Sequence, residues 1–132
     1  MAINFDKAFG VHEAALSIRA KRAEVLANNL ANSDTPNFKA RDIDFTTALQ
    51  QARVTQTSAL KRTHEGHVDS QIGRDIPGLS YRVPFQPDTG DGNSVDAQIE
   101  QAKYAENAMQ YQTTLRFLDG KIKGLMSAIK GE

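Results

Sequence analysis

The stretch Tyr104-Ala-Glu-Asn-Ala-Met-Gln-Tyr-Gln-Thr-Thr-Leu-Arg-Phe-Leu-Asp-Gly-Lys-Ile-Lys-Gly-Leu-Met-Ser-Ala-Ile129 decides the fold. Tyr104, Ala108, Tyr111, Leu115, Leu118, Ile122, Leu125 and Ile129 fall at steps that alternate four and three without a break. That is the a/d seam of a helix that packs on other helices. Ala97 and Gln101 carry the register one heptad upstream, and no proline interrupts it. A helix over 94–130 is predicted, with Asn93 or Ser94 as its cap and Asp96 in its first turn. Lys130 and Gly131 mark its end. Its length would be about 55 Å at ~1.5 Å per residue, more than a small globular domain needs. Gly120 and Gly124 lie four apart and off the seam. Each costs about 1 kcal/mol against alanine, so they mark either a close backbone approach or simple tolerance.

Working outward, a second helix is predicted over 4–32. Phe9, Leu16, Ala23 and Leu30 fall seven apart, Ala20 and Ala27 fill the intervening positions, and Glu13 occupies the place where that second row would begin. Val11, Ile18 and Val25 add another row, so the apolar surface is wider than a two-stranded seam requires. Small alanines admit a close neighbour: the other terminal helix of the same chain, or, in a sharper reading, helices of other subunits as well. The expected architecture is mainly α: two long terminal helices packed as an elongated antiparallel, coiled-coil-like pair, around an irregular middle with a short strand or hairpin. Lys21, Arg22 and Glu24 are placed on the solvated side. Three stretches, 1–45, 46–93 and 94–132, together make one domain.

The first helix runs out at Asn32-Ser-Asp-Thr35, where turn formers precede Pro36 and the chain exits into an extended piece carrying Phe38, Ile43 and Phe45. Asn28, Asn29 and Asn32 can hydrogen-bond neighbouring backbone there, within one subunit or between subunits. A short helix over 46–52, anchored by Ala48, Leu49 and Ala52, is expected next. Residues 53–78 lack sustained periodicity and read either as a connecting loop or as a stretch poorly ordered until assembly. Leu79-Ser-Tyr-Arg-Val83 alternates as a strand does and is stopped by Pro84 and Pro87.

Composition narrows the chemistry. The 132 residues carry 16 acidic and 16 basic side chains, so bulk charge makes no case for nucleic acid. There is no cysteine and only 7% aromatic content, which suits an elongated helical protein better than a compact enzyme. No apolar run approaches the ~18–20 residues of a membrane span, so an integral membrane protein is not expected. The opening Met-Ala-Ile-Asn-Phe-Asp-Lys has no basic region followed by an apolar core, so no Sec-type signal is expected. His64-Glu-Gly-His67 has a spacing of three and a glycine, unlike the zinc-protease helix, which needs histidines four apart. Asp88 to Asp96 superficially resembles a calcium loop. Gly90 at the third ligand position and Ile99 at the twelfth spoil it, and a tight turn into the long helix is the better reading. No catalytic, cofactor-binding or metal site is expected.

The motifs carry a resemblance. Asn28-Asn29-Leu30-Ala31-Asn32, then Thr35-Pro36 and Phe38, is similar to the N-terminal signature of the bacterial flagellar axial proteins of rod, hook and hook-filament junction. Lys39-Ala-Arg-Asp42-Ile-Asp44-Phe45 narrows it to the proximal rod members. Gly92-Asn93-Ser-Val95-Asp96, Ala105-Glu-Asn107-Ala108, Tyr111-Gln-Thr113 and Phe117 to Leu125 also fit. The resemblance covers roughly residues 5–45 and 80–130. It implies a structural, self-assembling subunit of the proximal rod in the periplasmic space, exported by the flagellar type III apparatus and transmitting torque around the export channel. Implied neighbours are copies of itself, the rod proteins FlgC and FlgF, the rod-base protein FliE and the MS-ring protein FliF. Two other classes remain open to the residues themselves: a helical adaptor or chaperone for a partner helix, and a small enzyme using the His64 and His67 region.

Overall fold

A computed structural model describes residues 9–57, 76–84 and 90–131 of the chain. Helix α1 spans Val11–Ala31. It begins after Gly10, whose φ of 54° breaks the backbone between Phe9 and Val11. The expected single helix over 4–32 is therefore interrupted, and Phe9 does not extend the rows of α1. At its C-terminal end the Asn32 N–H bonds the carbonyls of Asn28 and Asn29 at 3.2 and 3.1 Å, so the break falls where the turn-forming residues begin.

A turn follows in which Asn37 takes a positive φ of 61°, a conformation asparagine accepts more readily than most residues. The chain then enters strand β1 (Arg41–Ile43), helix α2 (Phe45–Thr57) and strand β2 (Leu79–Tyr81). The strands pair antiparallel, with Arg41 opposite Tyr81, Asp42 opposite Ser80 and Ile43 opposite Leu79. Asp44 caps α2: one carboxylate oxygen accepts from the Thr46 N–H at 3.0 Å, the other from the Thr47 hydroxyl at 2.7 Å. This helix is longer than the expected 46–52 and takes in residues 53–57, which read as loop by composition.

Helix α3, Ala97–Lys130, is 34 residues long, about 51 Å at 1.5 Å per residue. Its cap is Asp96, not Asn93 or Ser94, and the Asp96 carboxylate accepts from the N–H groups of Gln98 and Ile99. Gly131 closes it with a φ of 75°, as the glycine after the last periodic residue suggests. α3 runs antiparallel to α1, with Asn29 against Glu100, Arg19 against Asn107 and Gln110, and His12 against Phe117. The strands and α2 lie on one flank of α1, where Ala14, Ile18, Ile43, Ala48, Ala52 and Ile76 surround an apolar cleft of about 140 Å³.

The core is thin. Among the described residues the buried apolar side chains are Ala15, Leu26, Ala40, Ile43 and Ala48, and only two of these exceed alanine in size. As many polar residues are buried: Asn29, Asn93, Glu100, Asn107 and Thr114. Groups of that kind stay buried only when hydrogen-bonded.

Candidate assembly surface

The contact between α1 and α3 is made mostly by polar residues. On α3 the buried positions are Glu100, Asn107 and Thr114, seven apart, with Lys103 and Gln110 half-buried between them. On α1 they are Ala15, Leu26 and Asn29, with Arg19 and Arg22 half-buried between. Both sets step by threes and fours, as a packed helix seam should. Each lies one position N-terminal to the expected apolar row. One residue is a turn of about 100° around a helix.

The fully buried positions between the two helices are therefore not the expected seam residues, which lie beside them. Leu16, Ala20, Ala23, Ala27 and Leu30 lie one step round from the contact on α1. Tyr104, Ala108, Tyr111, Leu115 and Leu118 lie one step round on α3, and Ile122, Leu125 and Ile129 continue that row. Tyr104 is 42% exposed, Leu115 48% and Ile129 81%. Ala20, Ala27 and Ala108 are exposed too, while Leu16, Ala23, Leu30, Leu118 and Ile122 are half-covered. Because the helices run in opposite directions, a one-residue step toward the C-terminus turns both rows to the same side of the pair. Small residues on α1 and large ones on α3 thus share one outward apolar face, on the flank opposite the strands and α2.

A charge cluster fixes this arrangement. Arg22 grips Asp42 with both ends of its guanidinium, Nε to Oδ1 at 2.8 Å and Nη2 to Oδ2 at 3.1 Å. Arg82, after β2, donates to Asp42 Oδ2 at 3.0 Å and to Glu100 Oε1, and Lys103 Nζ stands 3.7 Å from Asp42. Glu100 is fully buried, and its other oxygen accepts from Asn29 Nδ2 at 3.0 Å. Asn29 also pairs with the Arg41 backbone, donating to its carbonyl at 2.6 Å and accepting from its N–H at 3.1 Å. The side-chain amide thereby supplies one rung of a ladder on the free edge of β1. Burial alone pushes the Asp42 carboxyl up, but the Arg22 hydrogen bond and charge, the Ile43 N–H and Arg82 together hold it below its ordinary value. The same hydrogen bond raises Arg22 against the opposing effect of burial. Arg22 is thus not a solvated bystander. A charge this covered needs a partner, since stripping one from a buried pair costs ~3–5 kcal/mol.

The signature asparagines lock the turn, and they do so within one subunit. Asn93 Nδ2 donates to the carbonyls of Asn32, Ser33 and Thr35 at 3.0, 2.8 and 2.9 Å. Its Oδ1 accepts from the Val95 N–H at 2.8 Å. Asn32 bonds back to the Asn28 carbonyl, and Thr35 donates to Asn32 Oδ1. Phe38 accepts from the Ser94 N–H through its carbonyl at 3.0 Å, and Pro36 is exposed at the tip. Asn107 donates to the Arg19 carbonyl at 2.9 Å, and the Arg19 guanidinium sits 4.1 Å from the centre of the Phe45 ring. Gly92 suits glycine: its φ of 73° favours that residue, and a Cβ there would come 2.4 Å from Asn37 Oδ1 and push that side chain aside.

Leu26, Arg82, Glu100 and Lys103 were not singled out by pattern. The available signal was the polar heptad of Glu100, Asn107 and Thr114, visible in the sequence one step away from the apolar one. Among the described residues, no group of three or more His, Cys, Asp or Glu could hold a metal ion, and no helix is long and apolar enough to cross a membrane. His64 and His67 lie outside the described residues, as do Asp88 and Thr89 at the start of the turn before α3.

The family described as flagella basal body rod protein matches residues 9–39, the part holding α1 and the asparagine turn. The flagellar basal body rod protein FlgB of Aeromonas hydrophila is 56% identical, over 100% of this chain and 99% of its own length. The chain belongs to the FlgB family. Its FlgB relatives in Escherichia coli K12 (40% identical, 98% of each chain) and Cereibacter sphaeroides (42% identical, over 97% of this chain and 98% of theirs) are also matched end to end. As a member of this family it is a structural subunit of the bacterial flagellar basal-body rod. The asparagine turn lies within the matched residues 9–39, and Asn93 locks it from outside that segment.

Proposed function

We propose that the subunit builds the proximal rod by laying its outward apolar face against neighbouring helices. The observation that carries this reading is the position of that face: the large row of α3 is turned away from α1, although α1 offers an apolar row of its own. Exposed contiguous apolar surface on a helical subunit serves association. In this reading the stretches 1–45, 46–93 and 94–132 act as one unit, because the charge cluster draws residues from all three. The neighbours it fits are copies of itself, FlgC and FlgF, with FliE and FliF at the rod base, in the periplasmic space. Torque then passes through helices packed side by side around the export channel, and the type III apparatus delivers the chain. The role assigned is association, with no catalysis.

Leu115→Asp tests it. The site is half-exposed in the subunit, so stability by chemical denaturation should change within about 0.5 kcal/mol. In assembled rods the aspartate would be buried without a partner, costing several kcal/mol, and motility and rod assembly should be lost. Wild-type motility with normal rods would refute the assignment.

A further inference from the structure

Each helix carries two rows that could face its partner: a polar one, which does, and an apolar one about 100° away, which does not. In isolation the apolar row is the better seam, since Leu16, Ala20, Ala23, Ala27 and Leu30 could meet Tyr104, Ala108, Tyr111, Leu115 and Leu118 without burying charge. The polar row is imperfect: Arg19 Nε and Asn107 Oδ1 are buried in it without hydrogen-bond partners among the described residues. Something outside the helix pair therefore selects the polar register. Reaching into it from elsewhere are the Phe45 ring on Arg19, the Arg41 backbone on Asn29, and two charged side chains, Asp42 on β1 and Arg82 just after β2.

We propose that the strand pair sets the roll of the helices, acting through Asp42 and Arg82. Asp42 ties Arg22 of α1 and Lys103 of α3 to one point, and Arg82 ties that point to Glu100. Asn29 closes the ring by joining Glu100 to the Arg41 backbone. With these contacts made, neither helix can turn without unpairing a buried charge, and both apolar rows are held outward on the same side. When the carboxylates are removed, Arg22, Arg82 and Lys103 are left as three like charges around one point. The helices then counter-rotate by about 100° each and pair through their apolar rows, hiding the outward face. The cluster is in this sense a positioning device: Asp42, Arg82 and Glu100 expose the face without belonging to it. Its purpose rests on the assembly reading above, but the register itself is a property of the isolated chain.

The absence of native cysteine allows the register to be read by disulfide formation in the purified full-length subunit. Ala15 and Thr114 are buried on the facing rows, between the His12–Phe117 and Arg19–Gln110 contacts. The pair Ala15→Cys with Thr114→Cys reports the polar register. Ala20 and Ala108 lie at matching heights on the outward rows, so Ala20→Cys with Ala108→Cys reports the apolar one. With the cluster intact the first pair should oxidise within one chain and the second should not. In a background of Asp42→Ala with Glu100→Ala the preference should invert, with the helical circular-dichroism signal retained. Persistence of the first pair in that background would overturn the proposal. Loss of helicity there would overturn it equally, because the apolar register would then not be available to the chain. Leu115→Asp reports on assembly by a different route, so failure of one reading is distinguishable from failure of the other.

Discussion

Asn93 places a single amide nitrogen among three carbonyls, those of Asn32, Ser33 and Thr35, at a site 9% exposed. No other side chain of its size offers both that donor and an acceptor for the Val95 N–H. Asn93→Ala should cost ~1–3 kcal/mol, the usual penalty for leaving such groups unmade, measured by urea denaturation. Asp42 makes a different prediction, about acid. Its folded pKa is depressed, so its contribution is complete above the ordinary carboxylate value of about 3.9 and is lost as pH falls through the depressed one. Stability measured from pH 6 downward should decline in that acid range. Asp44 is depressed too, chiefly by the Thr47 hydroxyl, and shares the window. Asp42→Asn should flatten the decline as well as lowering the plateau at neutral pH. A slope that is unchanged in this variant would assign the acid sensitivity elsewhere.

At the scale of the element, α3 is both the best-defined piece and the most exposed one. Its caps are strong, with Asp96 at one end and Gly131 at the other, yet Phe117, Leu125, Met126 and Ile129 near its C-terminal end are 40–81% exposed. Gly120 and Gly124 lie in the same region, and a Cβ at either would meet nothing within 4 Å among the described residues. Helix propensity then decides the isolated subunit: Gly120→Ala and Gly124→Ala should each stabilise it by up to ~1 kcal/mol. Thermal unfolding of the purified chain reads this directly. If the glycines mark a close approach to a neighbouring helix, the same variants should assemble less well, a combination that mere tolerance of glycine would not produce.

For the whole molecule the balance between order and burial is narrow. Two long helices are held by a seam rich in polar side chains, beside a core in which, among the described residues, only Leu26 and Ile43 exceed alanine. Burying a large apolar side chain contributes ~1.5–3 kcal/mol, against ~1–2 kcal/mol of backbone entropy for every residue ordered. The dilute subunit should therefore show weak amide protection along both helices, rising sharply in assembled rods as neighbours cover the outward face. Hydrogen exchange on the two samples checks it. Strong cooperative protection already present in the dilute chain would mean that the subunit is complete alone.

What the sequence determined by itself was local. The helical character of both ends, the break after Ala31, the glycine stop at Gly131 and the extended pieces around Ile43 and Leu79 all rest on interactions within a few residues. These are capping, proline and glycine backbone limits, and apolar periodicity. The helices paired antiparallel, as their rows and the reversing turn led one to expect. The facing surfaces were decided only by tertiary structure. Apolar periodicity marks the surface that needs burial without saying which molecule buries it, and here the rows of Leu16 and Leu115 point away from one another's helix. The register instead answers to charged and polar groups far apart in the chain, Arg22 with Asp42, Arg82 with Glu100 and the Asn29 amide with Glu100. A buried charge must find its partner wherever the fold can bring one, and a polar heptad such as Glu100, Asn107 and Thr114 does not say which distant residue that partner is.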